Sequence, residues 1–230
     1  MSSSLRTTLY VDGFNLYYGA AKHTRLKWVN VIALAEEVLP GLRVTKTRYF
    51  TAMVKSDPRN PQQHQRQETY IRALKTLPNL TVHLGHFQNT QVWAKHCNPP
   101  PSKVCVHKTE EKGSDVNIAT YMLADAFRND CDQLVVITND SDLAEPIRII
   151  NTELRRRVLV LNPHSEDTAA RASARSGTPV LHRPSVHLQR VAHRVKDIRS
   201  SGNHCHMAKA QFQPTLMDIY GTITIPPVWV

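Results

Sequence analysis

KGSDVNIATYMLADAFRNDCDQLVVITNDSDL, residues 112–143, spells a helix, a buried strand and an acidic strand tip in succession. Ser114 and Asp115 open the helix, and Val116, Ala119, Tyr121, Met122, Ala126 and Phe127 recur at mostly helical spacing until the polar RNDCD segment ends it. Leu134 to Ile137 is a continuous apolar run rich in β-branched residues, the pattern of a central parallel strand covered on both faces. It runs into Thr138-Asn139-Asp140-Ser141-Asp142. Ligands of open α/β sheets bind outside the carboxyl ends of strands, so Asp140 and Asp142 stand where chemistry is usually done.

Working outward, the same arrangement occurs near the N-terminus in TTLYVDGFNLYYG: an apolar strand through Val11, then Asp12, a glycine turn, and Asn15 entering a short helix. If the first and fourth strands flank the topological switch point, Asp12, Asp140 and Asp142 converge and Asp115 joins them from its helix N-terminus. Close carboxylates repel one another unless a cation sits among them. An all-oxygen donor set selects a hard ion, Mg²⁺ or Mn²⁺, over zinc. Asp and Asn are also good helix N-caps, which explains any one of these residues but not the recurrence of acids at two strand tips and a helix start.

The motifs YVDGFN at 10–15, KGSDVNIA at 112–119 and VVITNDSDLAEPI at 135–147, in this order and spacing, resemble those of NYN domain proteins, LabA-like members of the PIN-like nuclease superfamily. The resemblance spans residues 7–162, and the closing AKAQFQPTLMDIYGTITIPPVW is similar to the ending of many such proteins, whereas 163–183 do not match. It implies a three-layer α/β/α doubly wound, mainly parallel sheet and a metal-dependent ribonuclease site on Asp12, Asp115, Asp140 and Asp142. It also implies products carrying a 5′ phosphate and a 3′ hydroxyl. One departure is Thr138-Asn139-Asp140, where the family commonly has Ser-Gly-Asp; Asn also tolerates the left-handed turn. Asn15 and Thr138 are expected to orient the carboxylates or touch substrate, and Lys112 to reach a phosphate or temper the acids.

The rest of the chain agrees with this. A length of 230 residues suits one α/β domain with an appendage, read as a nuclease domain at 1–162, a linker at 163–184 and a C-terminal helix and tail at 185–230. Lys and Arg number 29 against 19 Asp and Glu, a net charge of +10 with a pI near 9.7, which points to a polyanionic partner, single-stranded RNA before others. No leader segment or membrane-spanning apolar run is evident. Cys97, Cys105, Cys131 and Cys205 form no C-x-x-C pair, and reduced thiols fit a cytoplasmic protein, monomer or homodimer. Zinc-finger ligand spacings are absent as well.

Asn30 is expected to start a helix stopped by Pro40-Gly41, and residues 44–54 a second strand. A polar helix from about Pro61 and a strand at 80–84 follow. Residues 88–111 read as a long loop in which basic side chains around Trp93 either grip single-stranded bases or pack a hairpin on the sheet. A basic helix is expected over 185–198, and the ending with Trp229 is expected to pack back on the domain. A haloacid-dehalogenase site fails because position 14 is Phe, and G-x-G-x-x-G, P-loop and EF-hand patterns are absent. Two functions survive: hydrolysis of RNA phosphodiesters by a Mg²⁺- or Mn²⁺-dependent (endo)ribonuclease, and a non-catalytic RNA-binding or regulatory module on the same fold.

Overall fold

The computed structural model describes residues 5–55, 58–96, 98, 101–164, 185–198 and 206–229. Its centre is a strand buried along its whole length, β1 (Thr7–Asp12). On one side it pairs in parallel with β2 (Val44–Ala52), on the other with β5 (Gln133–Ile137). Outside these lie β3 (Leu80–Lys95) and β4 (Lys103–Lys112) on one flank, and β6 (Arg157–Asn162) and β7 (Arg194–Asp197) on the other. The order is β4-β3-β2-β1-β5-β6-β7, parallel throughout except for the antiparallel β3–β4 pair. The chain therefore reverses its winding between β1 and β5, which places the switch point between the two acidic tips.

Alternation along the central strands divides the core. Leu9, Val11, Val135 and Ile137 face one layer, with α2 (Val31–Val38) and α3 (Gln63–Lys75). Tyr10, Leu134 and Val136 face the other, with α4 (Ser114–Phe127), α5 (Ala144–Thr152) and the short α6 (Val186–Val191). Both faces of the parallel sheet are thus covered, which is why the central runs Leu9–Val11 and Leu134–Ile137 are apolar at successive positions. Asn30 caps α2 as expected, accepting the amides of Ile32 and Ala33.

The closing segment packs on the first layer. Its short helix α7 (His206–Lys209) leads to the hairpin of β8 (Thr215–Asp218) and β9 (Gly221–Thr224). Fully buried Trp28 donates its indole N–H to the Gln213 carbonyl and meets the rings of Phe212 and Trp229, while Arg72 holds Asp218 through two nitrogens at 3.0 and 2.9 Å.

Three local expectations need correction. Residues 88–95 and 103–111 are the two strands of a ribbon rather than a loop: β3 pairs with β2 only as far as Gly85, and its continuation pairs with β4 from His86–Lys112 to Lys95–Lys103. Alternating polar and apolar residues sustain a ribbon whose hydrogen bonds need no core behind them, and Trp93 stands 73% exposed on it. The helix expected over 185–198 stops at Val191, because Arg194–Asp197 supplies backbone partners to the edge of β6.

In α4, Val116 and Phe127 point to solvent and Ile118 is buried in their place. Asp125 is also fully buried, held by the Tyr10 hydroxyl at 2.7 Å, the Arg48 guanidinium at 2.8 and 2.9 Å, and the Lys46 ammonium at 3.1 Å. Burial alone would raise its pKa, but these donors outweigh that and lower it. The linker expected at 163–184 lies, from residue 165 onward, outside the described residues.

Candidate active site

The register that sets Val11 beside Ile137 puts Asp12 and Thr138 side by side at adjoining strand ends. Asp12 is 4% exposed. Its Oδ1 caps the turn of α1 (Gly13–Leu16) by accepting the Asn15 amide at 2.9 Å, and its Oδ2 faces the Thr138 hydroxyl at 3.4 Å. The same Thr138 oxygen accepts the Asp140 amide at 3.1 Å, and Asp140 Oδ1 accepts the Asp142 amide at 2.9 Å. Thr138 is fully buried, so it positions carboxylates and does not reach solvent. Capping and a role in the site are compatible here, because a cap uses one carboxylate oxygen and leaves the second.

A pocket of about 270 Å³ opens over these tips, lined by Asp12, Asp115 and Asp140 with Asn15, Ser114 and Glu111, and walled by aromatic rings including Phe14 and Phe87. No Lys or Arg appears among its described lining residues. Burial pushes Asp12 up to about 7; the Asn15 amide opposes this, and repulsion from Asp115 and Asp140 adds to it. Asp115 is pushed up to about 6, by burial first and then by Asp140, Glu111 and Asp142. A protein of net charge +10 thus gathers carboxylates where, among the described residues, no Lys or Arg lines the pocket.

Of the expected site residues, the structure brings Asp12, Asp115, Asp140 and Asn15 around one pocket. Asp142 sits exposed beside it, outside the lining but near enough to repel Asp115. Lys112 does not line the pocket; its ammonium is 3.0 Å from Glu110, on the outer side of the ribbon. Asn15 acts as a strut, its Oδ1 accepting the Asn139 amide at 3.1 Å and facing His164 Nε2 at 3.0 Å.

Glu111 and His164 were not anticipated. Glu111 Oε1 accepts both the amide and the hydroxyl of Ser114, at 3.2 and 2.9 Å, and lies so close to Gly85 that a side chain there would displace it. Its signal was its place three residues before the helix start, which reads as a turn acid until the ribbon is seen to end there. His164 follows the end of β6, the next strand tip beside β5, where the switch-point rule applies again.

Among the described residues, no group of three or more His, Cys, Asp or Glu is drawn together as a ready-made metal cage. The donors around the pocket are hard carboxylate oxygens. The raised proton affinity of Asp12 and Asp115 reflects burial and neighbouring negative charge that a divalent cation would neutralise, so the residues fit Mg²⁺ or Mn²⁺.

The model of the NYN domain family matches residues 6–179. The chain belongs to the NYN domain family. NYN domains form part of the PIN-like nuclease superfamily, and the doubly wound sheet with acids at its switch point agrees with that membership. This NYN domain chain is 31% identical over 191 positions to a protein of Pseudomonas putida (strain DSM 28022 / S16) named 6-hydroxy-3-succinoylpyridine 3-monooxygenase HspA, covering 71% of this chain and 61% of that one. It therefore spans about three fifths of that relative's length. A solved structure, protein VPA0982 of unknown function from Vibrio parahaemolyticus RIMD 2210633, shares the fold with a TM-score of 0.50 and 16% identity, over 86% of this chain and 95% of that one. Among the described residues no helix is long and apolar enough to cross a membrane.

Proposed function

We propose that this NYN domain chain is a Mg²⁺- or Mn²⁺-dependent ribonuclease that hydrolyses phosphodiester bonds of single-stranded RNA. One observation carries the reading: carboxylates from two strand tips and a helix start line one pocket that no Lys or Arg lines among the described residues, within a strongly basic protein. Asp12, Asp115 and Asp140 would hold the cation, with Asp142 contributing from outside the pocket, directly or through water. A bound divalent ion supplies polarisation of the phosphate and a water acidic enough to attack near neutral pH.

The chain's own residues do the positioning. Asn15 and Thr138 fix the orientation of Asp12 and Asp140, and Glu111 adds negative charge next to Asp115. The ribbon, with exposed Trp93 next to Lys95 on its own strand and Lys103 on the partner strand, offers stacking and phosphate contacts to an unpaired strand.

The test is cleavage of end-labelled single-stranded RNA with Mn²⁺, Mg²⁺ or EDTA, comparing wild type with Asp12→Asn and Asp140→Asn. Metal-dependent cutting lost in both folded variants supports the reading. RNA binding with no cutting by wild type in either metal hands the fold to the regulatory alternative. Cutting that persists in both variants marks a contaminant.

A second reading follows from the Pseudomonas relative, whose name assigns it an oxygenase activity on a pyridine. The 31% identity favours it. Consumption of 6-hydroxy-3-succinoylpyridine by the purified chain, with oxygen uptake matched to oxidation of a two-electron donor, would establish it. Absence of both under conditions where RNA is cut would remove it.

A further inference from the structure

Beside the acid pocket lies a larger cavity of about 350 Å³, and Phe14 and Tyr18 belong to the walls of both. It is enclosed by α1 and the π-helical turn after it (Tyr17–Ala21), the N-terminal half of α3, the end of β2 and the closing residues Val228 and Trp229. Its volume is in the range of about 300–1,000 Å³ usual for small-ligand sites.

Two features of the lining restrict the occupant. The walls are aromatic, with Tyr17, Tyr18, Tyr70 and Trp229 around the space. Lys22, Lys27 and Arg66 also face it, and no acidic residue is among its described lining residues. Among the described residues their partners are neutral: Lys27 donates to the Thr24 carbonyl, Arg66 to Asn60 Oδ1 at 2.5 Å, and Lys22 sits 4.7 Å from the centre of the Tyr18 ring. The Lys27 ammonium is destabilised first by burial and then by Arg66, as expected of cations gathered without an anion. Flat rings stack on such walls, and a negative group is drawn to such cations.

We propose that this cavity seats one nucleotide unit of the RNA strand, its base among Tyr17, Tyr70 and Trp229 and its phosphate at Lys27 and Arg66. The assignment rests on the ribonuclease reading: Phe14 and Tyr18 line both spaces, so the cavity lies next to the acid pocket, within reach of one strand. A strand held at both places is fixed in register, so the cavity selects which bond lies over the carboxylates.

Direct binding tests this without requiring turnover. The full chain carries three Trp. In a Trp93→Phe background the signal comes from Trp229, which lines the cavity, and Trp28, which packs against it. Tryptophan fluorescence is titrated in EDTA with AMP, UMP, adenosine and nicotinate, using Arg66→Gln and Lys27→Gln variants whose folding is checked by circular dichroism.

Saturable quenching by a nucleoside monophosphate, at least tenfold weaker for adenosine and at least tenfold weaker in either variant, is the expected result. No binding of either monophosphate, or binding indifferent to both variants, overturns the proposal, and nicotinate binding more tightly than both monophosphates reassigns the cavity to a small aromatic acid. Monophosphate binding of the expected kind in a chain that cuts no RNA sinks the ribonuclease reading and leaves a nucleotide site; cutting without such binding does the reverse.

Discussion

Replacing Asp12 with Asn should stabilise the metal-free protein, and by more at pH 8 than at pH 5. Asp12 is 4% exposed and its pKa is pushed from 3.8 to about 7 by burial, then modulated by the Asn15 amide and by Asp115 and Asp140. Between these values the folded chain binds a proton that the unfolded chain has released, so stability falls as pH rises through that window. From pH 5 to pH 8 the wild type crosses roughly two units of it, about 2 to 3 kcal/mol at about 1.4 kcal/mol per unit. Asn carries no charge at either pH and keeps an oxygen to accept the Asn15 amide. A domain of this size shifts by roughly 2–4 °C per kcal/mol, so the difference in Tm between variant and wild type should be roughly 5–10 °C more positive at pH 8 than at pH 5. The assay is thermal unfolding in EDTA at the two pH values, repeated with Mn²⁺. Added Mn²⁺ should stabilise the wild type by about 2.7 kcal/mol at a concentration of about 100 Kd, seen as a higher Tm, and leave the variant nearly unmoved. An Asp12→Asn effect of the same size and sign at both pH values would refute the picture of a buried carboxylate held charged at a cost.

Asp125→Asn leaves Arg48 and Lys46 without their shared anion and should cost about 3–5 kcal/mol in urea unfolding at pH 7; because the Asp125 pKa is lowered, this cost should shrink as pH falls below the ordinary carboxylate range. An unchanged urea midpoint at pH 7 would show that the network contributes nothing. Gly13→Ala would place a Cβ 2.7 Å from both the Phe50 carbonyl and the Tyr49 hydroxyl, so a loss of about 1–3 kcal/mol is expected together with a displaced Asp12, read as lower Tm and weaker Mn²⁺ binding. Trp93→Ala should weaken single-stranded RNA binding by about 1–3 kcal/mol in a filter or anisotropy assay. Because Trp93 is exposed on the ribbon, its removal should leave Tm unchanged, and a large fall in Tm would mean that the ribbon is packed in solution.

Periodicity and strand-end chemistry were legible in the linear chain. The all-apolar run 134–137, the tips at Asp12 and Asp140, and the helix start at Asp115 determined a doubly wound sheet and located its switch point, because parallel strands buried on both faces leave chemistry only their ends. What the chain could not show was how far a strand outlasts its partner. β3 runs on past Gly85 and pairs residues 86–95 with 103–112 as a ribbon, and only that ribbon returns Glu111 to the acid pocket while sending Lys112 outward to Glu110.

The same holds for charges that depend on distant partners. Asp125, within the helix that Asp115 starts, is a buried anion because Lys46 and Arg48 on β2 meet it. Residues 194–197, which carry helical spacing and basic charge, became a strand because β6 had an open edge. Local pattern determines which backbone geometry a segment prefers and which residues stand at its ends. Long-range contact decides which preferences are overridden, since an unpaired buried backbone group or an unneutralised buried charge costs more than any local propensity supplies.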